Sequence, residues 1–433
     1  MKRFCCILLI FLLAMASCQT STIPQNDQDK DTLSQDKEDT QSEQPSIADP
    51  DNSPAPSAKE LRARKLAAVG IPSPEEEFRG VWVAATDIIA LLSGKNDREA
   101  VIALDKLMDD CIAYHLNTVI FHVRVNSDAY YCSTIFKPAV AVQDLLSGGF
   151  DILSYAVEAA HKRGLDIHAW ANPYRIGSNR ENAVCQDYIQ YGSYYYYIPT
   201  SETAQAYIVS GMQEIVDRYD VDGLQYDDYF YTEGTVSADK PADFETEYEI
   251  YRAGGGTLSV ADWRREAVNS LIRRTYEVAH SKKECVFGIS PAYQVEKNYH
   301  QKYADVLLWM EKEGYVDYLM PQIYFGFENQ TAPFIPTTQT WMGYKKDPSV
   351  RVYIGLALYK TGMKNDSNAG SGNSEWFSCQ DIMLRQISYL QENNADGYCF
   401  FRYSFFDPNM TRDSGYSKDI AAVEVFNLVK QMG

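Results

Sequence analysis

Short runs of β-branched and aromatic residues recur along the chain at Phe78–Ala85, Asn117–Val125, Leu165–Asn172, Val221–Asp227, Cys285–Tyr293, Val316–Phe325, Arg351–Tyr359 and Asp396–Phe405. Such runs, bounded by turn residues, predict about eight strands. Between most of them, apolar positions recur at helical spacing: Arg98–Tyr114, Ile152–Arg163, Ala204–Tyr219, Asp262–Ser281, Gln301–Glu311, Ser378–Asn393 and Lys418–Met432. Strands alternating with helices imply a parallel sheet with helical crossovers. Eight such units predict an α/β fold closed into a (β/α)8 TIM barrel, with an open doubly wound sheet as the alternative. No Gly-rich phosphate loop follows any of the strands, which weighs against nucleotide binding.

The pattern changes before residue 75. Met1-Lys2-Arg3 is a basic start, Phe4–Met15 is uninterruptedly apolar, and Ala16-Ser17-Cys18 follows as a small-residue site ending in cysteine. A membrane-spanning helix needs ~20 apolar residues, so this run is too short to be one. Residues 1–18 resemble a bacterial lipoprotein signal peptide. The resemblance implies lipidation at Cys18 and a place in the cell envelope, lipid-anchored to a membrane outside the cytoplasm; a plain secretory signal with a chance cysteine is the alternative. Residues 19–74 are rich in Gln, Asp, Ser, Thr, Pro and Glu and are expected to form a disordered acidic tether, with a short helix near Ala58–Ala68. Residues 75–433 then form one large barrel domain. The formal net charge is −19. It argues against nucleic acid as a partner, and the acidic tether explains part of it without any binding site.

In a (β/α)8 barrel the functional groups lie at the C-terminal strand ends. Alternation places His122, Arg124 and Asn126 on one face of the second strand, and His168, Trp170 and Asn172 on one face of the third, with Arg175 just beyond. The fourth strand carries the strongest chemical signal. Leu224 and Tyr226 suit its helix-facing side, leaving Gly223, Gln225 and Asp227 inward, with Asp228 and Tyr229 next in the chain. Two adjacent carboxylates in an aromatic setting can have pKa values pushed apart, which acid-assisted cleavage of a glycosidic bond requires. The plainer reading is an Asp pair that caps a loop or holds a stray cation. Later strands offer Tyr293; Met320, Gln322 and Tyr324 together; and Phe400 with Arg402.

The chain has 32 Tyr, 18 Phe and 6 Trp. Any one of these rings most often packs in a core, but their convergence at a barrel mouth favours a sugar cleft. Asp128, Glu233 and Glu328 lie on mouth-side loops and are candidates for a second carboxylate. Tyr194–Tyr197 either stacks on a polymer or lines a loop. The six histidines show no metal-ligand spacing, so neither a metal nor a cofactor is expected. Cys285 and Cys399 fall in predicted strands as buried thiols.

Several stretches carry a family resemblance: Phe78–Trp82, Asn117–Ser133 with Ser127-Asp128-Ala129-Tyr130-Tyr131, His168–Arg175, Val221–Tyr231, Trp263-Arg264-Arg265, Gly288–Pro291, Asp317-Tyr318 with Pro321–Tyr324, and Gly397–Arg402. In order, they resemble the successive motifs of the bacterial glycosyl hydrolase-like family ten. The resemblance implies a (β/α)8 barrel, a secreted or lipid-anchored location and glycoside hydrolysis, with peptide-free peptidoglycan strands as the substrate linked to members. The family's Asp-Asp pair maps onto Asp227 and Asp228. The candidate substrate-binding set is His122, Arg124, Asp128, His168, Trp170, Asn172, Arg175, Gln225, Tyr229, Tyr293, Gln322, Tyr324 and Arg402.

The chain departs from the family at three positions: Gln225 where His is frequent, Val125 where Pro is usual, and Phe325 where Trp is frequent. These bear on subsites more than on chemistry. The fourth-strand motif also distantly resembles chitinase-type barrels, but Tyr229 stands where their acid is a Glu, which leaves the acid role to Asp227 or Asp228. The expected function is carboxylate-catalysed hydrolysis of an amino-sugar polysaccharide, in which an N-acetyl group of the substrate could supply the nucleophile. The rival is a surface lipoprotein that binds glycans without cutting them. A deacetylase would require a metal-binding His pair, which is not found.

Overall fold

β1 (Phe78–Val83) lies parallel to β2 (Thr118–Arg124), and the ladder continues through β3 (Asp166–Ala171), β4 (Gly223–Tyr226), β5 (Val286–Ile289) and β6 (Tyr318–Leu319). The seventh strand, β7, is broken at Tyr353. Its first part, Arg351–Val352, pairs with β6, and its second, Ile354–Leu356, pairs with β8 (Gly397–Phe401), which returns to β1. Nine parallel segments at eight positions thus form the predicted (β/α)8 barrel, complete but for the short break at Tyr353. This computed structural model describes residues 55–231, 245–407, 410 and 414–433. Cys18, most of the proposed tether and Glu233 lie outside the described residues.

Strand alternation divides the apolar residues into two sets. Phe78, Trp82, Ile120, Trp170, Tyr318, Met320, Tyr353 and Cys399 fill the barrel interior, and Phe78 stacks on Tyr353 with ring centroids 4.1 Å apart. Val81, Val83, Val119, Phe121, Leu224 and Tyr226 point outward under the helices. Gly223 leaves room for the His168 ring: a Cβ there would sit 2.7 Å from it.

The helices largely follow the predicted spans, with three informative differences. β1 stops at Val83, and Ala85–Leu92 is a helix whose Asp87 accepts the Ala84 N–H at 2.9 Å. Phe334–Gly343 is a helix inside a stretch without a predicted element. The expected helix Gln301–Glu311 is instead two, Val295–Gln301 and Val306–Glu311. Tyr303 takes a left-handed conformation (φ 52°) that ends the first, and Asp305 caps the second through the Leu308 N–H at 3.2 Å. The break leaves Lys302 at a helix end beside β4.

The compact unit begins at Pro56, so residues 56–74, assigned above to the tether, belong to the folded body. Helix Ala58–Ala67 is held at the N-terminal end of the barrel by Arg62. Its guanidinium pairs with Asp166 (2.8 Å) at the start of β3 and with Asp222 just before β4. Asp222 also bonds His161 Nε2 at 2.9 Å. Because Asp166 and Asp222 stand where their strands begin, this cluster lies at the opposite end from the strand tips that carry Asp227.

Candidate active site

A cavity of about 430 Å³ opens at the C-terminal strand ends. Trp82, Trp170, Tyr229, Tyr324, Tyr359 and Phe401 give it aromatic walls, and His122, Asn172, Arg175, Asp227, Ser290, Gln322 and Arg402 supply polar groups. Apolar walls with a few convergent polar groups are the usual make-up of a small-ligand site. The Ser290 hydroxyl and the Arg175 Nε are both buried and have no hydrogen-bond partner among the described residues.

Asp227 is the single carboxylate among the described lining residues, and it is 3% exposed. Its Oδ2 accepts hydrogen bonds from Asn172 Nδ2 and from Trp170 Nε1 (3.3 Å), while among the described residues Oδ1 has only a long contact, 3.4 Å, from the Tyr229 N–H. Burial, with the neighbouring Asp228 charge adding to it, pushes its pKa up to about 8. With Oδ2 occupied as an acceptor, the proton belongs on Oδ1.

A relay behind Asp227 fixes this arrangement. The Ala85 N–H donates to His122 Nδ1 at 3.4 Å, His122 Nε2–H donates to Asn172 Oδ1 at 3.1 Å, and Asn172 Nδ2 donates to Asp227. His122 also stacks on Trp170, centroids 3.6 Å apart. Burial lowers its pKa to about 3, so the ring is neutral and the relay keeps one direction.

Asp228 turns away from the cavity. Its Oδ2 lies 2.9 Å from Lys302 Nζ, and Gln322 Nε2 is 3.5 Å from its Oδ1. The two adjacent carboxylates therefore have different surroundings, one uncompensated at the cavity floor and one ion-paired. The Lys302 ammonium also stands 5.7 Å from the Tyr229 ring centroid.

Of the sequence-derived binding set, His122, Trp170, Asn172, Arg175, Tyr229, Gln322, Tyr324 and Arg402 come together around Asp227. Five do not line the cavity. A β-bulge between His122 and Arg124 reverses the alternation, so Val125 lines the cavity while the Arg124 guanidinium lies 4.5 Å from the Phe136 ring centroid. His168 and Gln225 point inward as expected but sit lower in the barrel. There Trp82 Nε1 donates to Gln225 (2.7 Å) and Gln225 Nε2 to Tyr318 OH (3.2 Å), and Tyr318 OH shares a hydrogen bond with His168 Nδ1 (3.0 Å). Both are closed off beneath the cavity floor.

Tyr293 turns to a neighbouring groove with Trp341. Asp128 bonds back to the Asn126 N–H at 3.0 Å, and Glu328 is exposed on a loop; neither lines the cavity with Asp227. On β8 the inward residues are Cys399 and Phe401. Phe400, expected to face inward with Arg402, packs outward edge-on to Phe406. Trp82, Ala84, Ala85, Thr86, Ser290, Tyr359, Phe401 and Phe405 complete the lining. Trp82 was already part of a conspicuous motif. Lys302 had no sequence signal, because the helix break that aims it is a local backbone event.

Residues 77–371 match the family described as glycosyl hydrolase-like 10. The glycosyl hydrolase YngK of Bacillus subtilis is 31% identical over 353 residues, which cover 73% of this chain and 67% of the relative. The glycosyl hydrolase DigH of Escherichia coli K12 is 32% identical over 339 residues, covering 66% of this chain and 74% of the relative. Among solved structures, the PgaB (BpsB) glycoside hydrolase domain from Bordetella bronchiseptica superposes with a TM-score of 0.54 at 15% identity. That superposition covers 77% of this chain and 96% of that domain.

Proposed function

We propose, from the premise that the chain belongs to the glycosyl hydrolase-like 10 family, that it cleaves glycosidic bonds in an amino-sugar polysaccharide with Asp227 as the general acid. Family membership implies a carbohydrate substrate, and the relatives' shared designation supports a glycan hydrolase. Peptide-free peptidoglycan is the substrate we favour. The observation that carries the mechanism is a carboxyl group buried at the floor of an aromatic cavity, where burial raises its pKa to about 8.

In this mechanism the pyranose rings stack on the cavity's aromatic side chains. The Asp227 Oδ1 proton passes to the glycosidic oxygen as the bond to the anomeric carbon breaks. Asn172 and Trp170 hold Oδ2 and stabilise the carboxylate that remains. No second carboxylate lines the cavity among the described residues, which favours the substrate's own N-acetyl oxygen as nucleophile over a protein side chain. Water then opens the resulting cyclic intermediate, returning its proton to Asp227.

Single Asp227→Asn and Asp228→Asn variants, assayed for sugar release from peptide-free peptidoglycan and from chitin oligomers, test this assignment. Loss of turnover in Asp227→Asn with binding retained is expected. Full activity in both variants overturns the mechanism, and binding without turnover in the unmodified protein favours a glycan-binding role. The location is proposed on the N-terminal segment alone: a lipid on Cys18 tethers the protein in the cell envelope. Lipid labelling that survives Cys18→Ser would refute that anchor.

A further inference from the structure

The loop after β3 builds a small antiparallel sheet that the acid chemistry does not use. Its central strand is Tyr194–Tyr197, flanked by Arg175–Gly177 and Tyr188–Tyr191. In an antiparallel ladder, directly opposite residues share a face, as do residues two apart on one strand. Arg175 is opposite Tyr196, and Tyr191 is opposite Tyr194. One face therefore carries Arg175, Tyr196, Tyr194 and Tyr191. The other carries Tyr195 and Tyr197. Tyr197 anchors the sheet, its hydroxyl 2.7 Å from Ser127 Oγ and accepting the Val184 N–H at 2.9 Å.

The first face is continuous with the cavity. Arg175 lines the cavity, and its guanidinium lies 4.8 Å from the Tyr194 ring centroid. Tyr196 is close enough to Arg175, Tyr194 and Tyr191 to be influenced by each, and Tyr229 in the cavity wall is influenced by Tyr196. At the outer end Tyr194 and Tyr191, directly opposite each other in the ladder, are 40% and 43% exposed.

We propose that Tyr196, Tyr194 and Tyr191 form a track for the sugars of a long glycan chain beyond the cavity, making the protein selective for polymer over short oligomers. This rests on the glycoside hydrolase reading above. Continuity identifies the occupant, because a chain passing Arg175 out of the cavity next meets these rings. Tyrosine suits that role: its flat face covers the C–H face of a pyranose and its hydroxyl meets the sugar's polar rim.

The test is the Tyr191→Ala, Tyr194→Ala double variant, assayed on long peptide-free glycan strands and on chitin tetramers. KM for the strands should rise about fivefold or more with kcat unchanged, and the tetramer constants should not move. Tyr191→Phe with Tyr194→Phe keeps the ring faces and should retain the original KM. Tyr195→Ala, on the opposite face, should do the same. Equal losses on strands and tetramers, or no loss on strands, overturns the track.

The same tyrosine changes in an Asp227→Asn background are read by co-sedimentation with the strands. Tyrosine-dependent binding, beside an unmodified protein (Asp227 intact) that hydrolyses neither substrate, supports the track and retires the hydrolase reading. Hydrolysis with tyrosine-independent binding does the reverse.

Discussion

Lys302, which is buried, and the partly buried Asp228 form an ion pair, Nζ lying 2.9 Å from Oδ2 and 3.2 Å from the Asp228 carbonyl oxygen. The pair acts on Asp227 in opposite directions: the Asp228 charge raises its pKa and Lys302 lowers it. Asp228→Asn should therefore move the basic limb of the kcat/KM profile to lower pH. Lys302→Met should move it higher and, by leaving the partly buried Asp228 carboxylate without its cation, lower stability. Profiles that coincide for all three proteins would remove Asp228 and Lys302 from the tuning of the acid.

Asp227 itself sets the position of that limb. A general acid with a pKa of about 8 is lost as pH rises through that value, so activity should fall on the alkaline side near pH 8. Asp227→Asn should lower kcat by ~10²–10⁴-fold with KM much less affected. Stability follows with a defined sign. A carboxyl whose folded pKa is raised contributes stability that is fully present below its unfolded value, near 4, and disappears as pH rises through about 8. Denaturant unfolding of Asp227→Asn should show less loss between pH 5 and pH 9 than the unmodified protein.

The relay from Ala85 through His122 and Asn172 makes a separate prediction. Asn172→Ala removes both the acceptor for His122 Nε2–H and a donor to Asp227 Oδ2. One such bond is worth about 1–1.5 kcal/mol, so kcat should fall about tenfold or more. His122 is neutral throughout the working range, because burial lowers its pKa to about 3. No acid limb between pH 5 and 7 should belong to it, and His122→Gln should leave the shape of the profile unchanged. An acid limb that vanishes in His122→Gln would contradict the neutral-ring assignment.

Alternation along the strands was enough to place Asp227 at a strand tip with Leu224 and Tyr226 behind it, because β4 runs without a bulge through those residues. The same rule misplaced Arg124. The bulge after His122 lies in the register between two strands, and nothing in the composition of β2 announces it. Depth along the barrel axis was equally hidden: His168 and Trp170 share a face, yet one is hydrogen-bonded beneath the floor and the other forms the wall. Tyr194–Tyr197 was conspicuous as a run, but its role depends on which residues lie opposite, which pairing alone decides. Lys302 reaches Asp228 only because the helix ends at a left-handed Tyr303.

The opposite end of the barrel should affect stability without affecting chemistry. Arg62 is 7% exposed and joins helix Ala58–Ala67 to Asp166 and Asp222, where β3 and β4 begin. Replacing it with Met keeps the apolar stem and leaves two buried carboxylates facing each other, a change that costs about 3–5 kcal/mol in comparable buried pairs. Burial and the Asp222 charge already raise the Asp166 pKa, while Arg62 opposes that rise. Without the guanidinium the carboxyl should be raised further, so the deficit should be smallest below pH 4, where Asp166 is protonated in folded and unfolded chains alike, and should deepen as pH rises. The kcat of the folded variant should match the unmodified protein, because Arg62, Asp166 and Asp222 do not line the cavity. Thermal unfolding at pH 4 and pH 8, read beside kcat, checks this; equal destabilisation at both pH values would mean that Arg62 contributes through packing, not charge.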